Sequence, residues 1–274
     1  MKKFNLLIAT SVLAISAAVP FAPAMAAAPM GFAGNAGVSY GNTTCDGCDD
    51  VDNWGIAGSG AFGFGSMGNL AGQIDGSYNS LSTSGFDSDI WGIGGSLFWA
   101  PANGRAGANL HYSTTGEDSF DIDFTSYGVF GEYFVSDYFT VGGKGGGLSA
   151  TLGGFGYSES ESGYYVGGAL TGYVMPNLAI TGQIDHIDVS DIDTDSTSYG
   201  IGAEFLVSET LPISVFGGYI HSDASVGGFS ADSDTWRIGL RIYTNGNGVT
   251  LVERHRNGAV GSISTPDANS LFSF

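Results

Sequence analysis

The sequence has few basic residues and lacks long apolar segments. It carries 8 Lys and Arg against 27 Asp and Glu, which gives a formal net charge of −19 at pH 7. Nucleic acids bind proteins mainly through Lys and Arg, so this charge excludes them as general partners. After residue 26 no run of about 18 uninterrupted apolar residues occurs, which excludes a membrane-spanning helix of ordinary length.

The first 26 residues have the composition of a secretory signal peptide. Lys2 and Lys3 precede an apolar stretch from Phe4 to Val19, and the small-residue motif Ala24-Met25-Ala26 follows. This order is typical of a cleaved export signal and not of a structural helix. We therefore expect the mature chain to begin near Ala27, and any membrane insertion to occur through a closed barrel.

An acidic-x-acidic triplet followed closely by an aromatic residue occurs six times, at a spacing of 34 to 39 residues. About ten residues of alternating apolar and small or polar character follow each aromatic, as in a β-strand with two different faces. The pattern predicts a β-hairpin repeated six times, with the aromatics in a belt that faces lipid. These aromatics are Trp54, Trp91, Tyr127, Tyr164, Tyr199 and Trp236.

The composition agrees with strands that have one face in lipid, because the chain has 46 Gly, 13% aromatic residues and only 13% charged residues. We predict an all-β fold, a transmembrane antiparallel up-and-down β-barrel of about twelve strands, within a range of about ten to fourteen. It covers residues 27–244. Short turns should alternate with longer acidic loops, with both termini in the periplasm. Residues 245–274 are predicted to form a periplasmic C-terminal extension, since Glu253-Arg254-His255-Arg256 is too charged to face lipid. The sequence leaves open whether this extension folds into the pore, binds periplasmic partners or stays disordered.

On the hairpin pattern, the belt aromatics and the terminal Phe274, the sequence resembles outer-membrane β-barrel proteins of Gram-negative bacteria, in the porin-like class. The resemblance implies a location in the outer membrane, with membrane lipids and lipopolysaccharide as partners. It also implies passage of small polar solutes or ions, without enzymatic activity and without a cofactor. We expect a monomeric or loosely associated barrel.

The basic residues of the predicted barrel all fall on one face of their strands. Trp236, Ile238 and Leu240 alternate with Arg237 and Arg241, so the two arginines point away from the apolar face. A charge on the lipid face near the midplane would cost roughly 2–4 kcal/mol. The same phase rule gives the candidate pore-lining residues Asp75, Arg105, His111, Glu132, Lys144, Asp185, Glu204, Arg237 and Arg241.

These inward charges allow two interpretations. They either line a narrow channel for passive diffusion of ions or small polar solutes, or pair with one another and fill the lumen of a structural barrel. Inward glycines, including Gly142, Gly146 and Gly167, favour open space and hence the channel. A barrel without a pore would act through its outer surface, as an adhesin, a receptor or a lipopolysaccharide-interacting protein.

An outer-membrane lipid hydrolase is a further alternative. His111, His186 and His221 lie near strand ends, and Ser190 and Ser222 are serines that could accompany them. No Gly-x-Ser-x-Gly context surrounds these residues, so the sequence does not support this activity.

Five aspartates share the phase of the belt aromatics and should project just above them. Their hard oxygen ligands either hold Ca²⁺ or Mg²⁺ and so bridge to lipid phosphates, or form a solvated, self-repelling surface. They are Asp52, Asp89, Asp123, Asp195 and Asp234.

The only two cysteines of the chain, Cys45 and Cys48, lie in the first external loop. In an oxidising compartment we expect a local disulfide between them, with Asp46-Gly47 supplying the turn. A zinc site would need further ligands, and no second cysteine pair is present.

Overall fold

The computed structural model describes residues 31–45, 49–64, 69–84, 86–117, 120–154, 157–189, 194–208, 211–226, 229–244 and 250–260. The predicted signal peptide lies outside this part of the chain. The strands are β1 Phe32–Cys45, β2 Val51–Gly63, β3 Leu70–Thr83, β4 Phe86–Trp99, β5 Gly104–Glu117, β6 Phe120–Ser136, β7 Phe139–Gly154, β8 Tyr157–Met175, β9 Leu178–Val189, β10 Thr194–Leu206, β11 Ile213–Val226 and β12 Phe229–Tyr243. One short helix, α1, covers Leu251–Arg256.

The twelve strands form a closed antiparallel barrel in which each strand pairs with its neighbours in sequence. β12 pairs with β1 from Asn35 opposite Tyr243 to Cys45 opposite Ser233, which closes the barrel. This confirms the fold predicted from the sixfold repeat. In the described ranges no helix is long and apolar enough to cross a membrane.

The barrel has two ends that differ in their connections. β1 begins and β12 ends at the same end, because the number of strands is even; we call it the periplasmic end and the opposite one the external end. β8 begins at Tyr157 and β6 at Phe120, so the acidic segments predicted as long external loops belong mostly to strands. That prediction was wrong, because the backbone ladder of an antiparallel pair continues regardless of side-chain polarity.

The outer face of the barrel is apolar and carries the predicted belt. Trp54, the least exposed of the six repeat aromatics, is 45% exposed, and Trp236 is 64% exposed. A second group of exposed aromatics, with Trp99, Tyr133 and Tyr138, lies at the periplasmic end. Two aromatic girdles that flank an apolar band are the pattern of a barrel in a lipid bilayer.

Candidate functional site

The predicted pore-lining residues all lie on the inner face of the barrel. Eight of them are buried, at 9% exposure or less. The side chain of Asp75 is 17% exposed. Alternation along each strand places them there, since the neighbours of Arg237, Trp236 and Ile238, are exposed on the outer face.

Some inward charges pair across an intervening strand that carries a glycine. Lys144 of β7 and Asp185 of β9 both lie opposite Gly167 of β8, and Nζ of Lys144 is 2.8 Å from Oδ1 of Asp185. A Cβ atom on Gly167 would collide with that carboxylate. The glycine therefore provides the space through which the two charges meet.

The same arrangement recurs at two other places in the wall. Nε2 of His111 lies 3.6 Å from Oδ2 of Asp75, across Gly94 of β4. Nη2 of Arg237 donates to Oδ1 of Asn53 at 3.4 Å, across β1.

Gly146 and Gly167, two of the three inward glycines named in the prediction, do not create open space. A Cβ atom on Gly146 would lie 2.8 Å from the hydroxyl of Tyr165. At Gly167 the added atom would meet the crossing side chain of Asp185, and at Gly146 it would first meet the backbone carbonyl of Tyr127, so both positions are filled by neighbouring atoms.

Glu204 is the centre of a polar network near the periplasmic end. Its carboxylate accepts hydrogen bonds from Nη1 of Arg241 at 2.6 Å, from the hydroxyl of Tyr243 at 2.5 Å and from the hydroxyl of Ser214. Arg105 pairs with Glu132 in the same half of the barrel. Breaking one partner of such a buried pair is costly, because the other charge stays in the interior.

An apolar cluster that the sequence analysis did not identify occupies the external half of the lumen. Its members come from β2–β4 and from β6–β9, and β3 and β9 lie six strands apart on opposite sides of the closed barrel. The sequence signal that identifies the members of this cluster is an apolar residue at a strand position that alternation directs into the lumen. The external apolar cluster comprises Val51, Leu81, Ile90, Leu148, Tyr165, Ile187 and Val189, with Phe124 packed against it.

The described part of the C-terminal extension, residues 250–260, lies in the periplasmic mouth of the barrel, which is one of the placements that the sequence leaves open. We call these residues the tail segment. A capping box begins α1, since Oγ1 of Thr250 accepts from the backbone N–H of Glu253 and Oε2 of Glu253 accepts from that of Thr250. The backbone N–H of Leu251 donates to the carbonyl of Pro176 at 2.7 Å. Leu251 is fully buried in a cluster that includes Tyr173 and Leu206.

The charged residues that exclude the tail segment from lipid have partners in the lumen. Nε2 of His255 lies 3.5 Å from Glu204, and Nδ1 lies 3.3 Å from the hydroxyl of Tyr173. The guanidinium of Arg256 lies 4.9 Å from the ring centroid of Phe134, and Arg256 donates to the carbonyl of Ser136. Charge in this segment therefore predicts a polar lumen site as readily as a periplasmic one.

The tail segment crosses the mouth from one wall to the other. Leu251 packs beside residues of β8–β10 and β12, whereas Ala259 and Val260 pack against β2–β4 and β6. The side chain of Gln73 donates to the carbonyl of Val260 at 2.8 Å and accepts from its N–H at 2.5 Å. Residues 245–249 and 261–274, with Phe274, lie outside the described residues.

Four of the five carboxylates in the predicted ring accept a hydrogen bond from a tyrosine on a neighbouring strand. Asp52 accepts a hydrogen bond from the hydroxyl of Tyr40 at 2.7 Å, and Asp123 accepts one from the hydroxyl of Tyr112 at 2.8 Å. Asp89 has the same kind of partner in Tyr78, and Asp234 in Tyr219, whereas Asp195 is exposed opposite Asp188. Among the described residues no three of His, Cys, Asp and Glu are placed to hold a metal ion. Binding of Ca²⁺ or Mg²⁺ stays a prediction.

The disulfide also stays a prediction. Cys45 is the last residue of β1, and Cys48 lies outside the described part of the chain.

The histidines considered for a hydrolase have other partners. Nδ1 of His221 lies 2.9 Å from Asp234 and Nε2 lies 3.2 Å from Asp223. Ser222 is buried, and as the next residue along the strand it points to the opposite face of the sheet from His221. Ser190 lies outside the described residues, and His186 contacts Thr197 at 2.9 Å.

No protein-family model matches the sequence, and no curated protein matches it. The fold is similar to that of solved outer-membrane barrels. An outer-membrane channel from Pseudomonas putida F1 aligns with a TM-score of 0.55 and 11% identity, over 82% of this chain and 100% of that chain. The translocator domain of the autotransporter NalP from Neisseria meningitidis aligns with a TM-score of 0.51 and 13% identity, over 77% and 88%. These likenesses concern the fold, which is that of a Gram-negative outer-membrane β-barrel.

Proposed function

We propose that this outer-membrane barrel is a narrow channel for ions or small polar solutes and that the structure holds its closed state. Buried polar atoms on the inner wall carry the proposal. The hydroxyls of Ser96 and Ser126 and both terminal nitrogens of Arg105 have no hydrogen-bond partner among the described residues. Buried polar atoms of this kind are normally satisfied by water. A lumen wall that holds water is the first requirement of a polar channel.

The charge distribution supports the same function. Apolar side chains of similar volume would fill a structural barrel at least as stably as buried ion pairs such as Lys144 with Asp185. Lys144 with Asp185 and Arg241 with Glu204 also lie along the wall, between strands two apart, and present charges of both signs to the lumen. The outer-membrane channel of Pseudomonas putida F1, which has this fold, is consistent with such a function.

Two closures separate this state from an open one. The external apolar cluster lies near one end, and hydrophobic constrictions can gate a pore by excluding water. The tail segment lies across the other end.

Single-channel recording tests the proposal. The mature chain, refolded into a planar lipid bilayer, should give discrete current steps, and Leu148→Ser should increase the open time because it makes the external apolar cluster easier to wet. Leu148→Met is the matched control, since it keeps the site apolar. Lys144→Gln should shift the reversal potential in a salt gradient towards cation selectivity. Silent wild-type and Leu148→Ser barrels, both correctly folded, would contradict a channel.

A structural barrel without a pore is the second candidate. The pairing of Arg241 with Glu204 and the near-complete burial of the inner wall favour it. In that case function would lie on the outer rim, where lipopolysaccharide is the expected partner, and no substitution in the lumen would produce current.

A further inference from the structure

We infer that the periplasmic mouth is a binding site for a cationic helical segment, that the chain's own tail segment is its ligand, and that release of this segment opens the mouth. The gating part of this inference rests on the proposed channel function. The binding part rests on contacts alone.

The site recognises the basic side chains of α1 individually. Arg254 lies over the ring of Tyr243, with its guanidinium carbon 5.6 Å from the ring centroid. His255 faces Glu204, and Arg256 lies against the ring of Phe134. These three wall residues belong to β12, β10 and β6, so a helix with this run of positive or ionisable groups contacts much of the circumference.

The site also recognises the backbone at the far end of the tail segment. The side-chain amide of Gln73 makes both a donor and an acceptor contact with Val260, as a neighbouring strand would. Ala259 and Val260 are almost fully buried against Ala61 and Ala71. The segment is therefore held on both walls.

Two wall side chains that bind the tail segment, Glu204 and Gln73, keep other partners when it leaves. Glu204 retains Arg241, Tyr243 and Ser214. Gln73 retains Asp75, whose Oδ1 lies 2.6 Å from Nε2. An unsatisfied buried group costs about 1–3 kcal/mol, and Glu204 and Gln73 avoid this cost when the tail segment is released.

Trypsin provides a readout of docking that is independent of current. The sequence has 8 Lys and Arg, of which Lys2 and Lys3 belong to the predicted signal peptide. Four more, Arg105, Lys144, Arg237 and Arg241, are buried in the barrel wall. In the folded mature protein, cleavage after Arg254 or Arg256 therefore requires the tail segment to leave the mouth.

The first experiment compares cleavage rates of three full-length proteins in detergent micelles. Gln73→Ala should raise the rate over wild type by roughly 5-fold to 100-fold, because it removes both contacts to Val260. Gln183→Ala is the matched control, since Gln183 is an inward glutamine on β9 whose side chain donates to Asp185. Equal rates for the three proteins would overturn the binding site.

A second experiment tests the gate. Ala71→Cys with Ala259→Cys places two thiols in one buried cluster, and oxidation should lock the tail segment. The locked protein should resist trypsin and show fewer openings than the reduced protein. Wild type treated with the same reagents controls for Cys45 and Cys48.

The outcomes distinguish the inference from the function on which it rests. Trypsin protection on locking, with no current from any variant, would leave the binding site standing and overturn the channel. Current that is unchanged by locking, in a protein that conducts, would overturn the tail segment as a gate.

Discussion

The two ends of the lumen are closed by different means. At the external end the closing side chains belong to the strands themselves, as Leu81, Ile90 and Leu148 do. At the periplasmic end a segment that follows the last strand supplies the closure. The first closure opens only if the wall repacks, whereas the second opens by dissociation of ten or so residues from an intact wall. The contacts at the two ends match this difference. The external closure is apolar, whereas the tail segment adds hydrogen bonds and charges to its buried apolar residues Leu251, Ala259 and Val260.

The largest effect should come from removing the carboxylate that serves both the wall and the tail segment. Glu204→Ala removes the carboxylate that pairs with the buried Arg241, and we expect it to lower the free energy of unfolding by roughly 3–5 kcal/mol. Urea unfolding in lipid vesicles, followed by tryptophan fluorescence, measures this. Glu204→Gln keeps an acceptor for Tyr243 and should cost less. A loss for Glu204→Ala no greater than that of Asp195→Ala, at an exposed position, would mean that the network is not structural.

An effect of intermediate size on the free energy of unfolding should come from a substitution in the barrel wall between the two ends. Gly167→Ala places a methyl group against Asp185, and overpacking of this kind costs roughly 1–3 kcal/mol of unfolding free energy. Gly182→Ala is the matched control on the outer face, where nothing lies within 4 Å of the added carbon. The same unfolding assay applies. Equal stability of the two variants would show that the lumen has room for a methyl group at Gly167, where Asp185 leaves none in the structure.

The smallest effect should come from a change of pH, which should weaken the docking of the tail segment at the periplasmic end and leave the external end unchanged. Burial lowers the pKa of His255 to about 4, and Arg241 and Arg105 lower it further, although Glu204 opposes this shift. The imidazole ring packs against Tyr173 and Tyr243. The docked tail segment then binds fewer protons than the released one, whose histidine has a pKa near 6.5. Docking should be complete above about pH 6.5 and weaken by up to tenfold per pH unit as the pH falls towards 4.

A nitroxide on Asn257→Cys, an exposed position, reports the bound fraction of the tail segment by electron paramagnetic resonance. His255→Gln should remove the pH dependence. The external apolar cluster contains no group that titrates in this range, so its packing should not change. A pH response that persists in His255→Gln would assign it to another group.

The alternation of side chains along each strand was sufficient to predict which residues face the lumen and which face lipid. It placed Trp236 outward and Arg237 and Arg241 inward, and the sixfold repeat gave the strand number, because each repeat is one hairpin. Alternation assigns a face to each residue but does not say which residue on another strand it meets. The pairing of Lys144 with Asp185 over Gly167 needs the register of three strands, which is why the glycine was interpreted as open space.

The tail segment could not be placed by the same argument. A charged run such as Arg254-His255-Arg256 is excluded from lipid, and both the periplasm and a polar lumen satisfy that exclusion. The choice depends on Glu204, Phe134 and the carbonyl of Ser136, which lie more than forty residues away in sequence. The pairing of rim tyrosines with aspartates was missed for a related reason, since the partners sit on different strands.

The closing seam between β1 and β12 has a consequence for the order of assembly. The residues that contact the tail segment come from β2–β4, β6, β8–β10 and β12, and they surround one space only when β12 has paired with β1. During synthesis the tail segment is also the last of these parts to leave the ribosome. The full set of contacts can therefore form only after closure, and a fully docked tail segment identifies a molecule in which the final seam has formed.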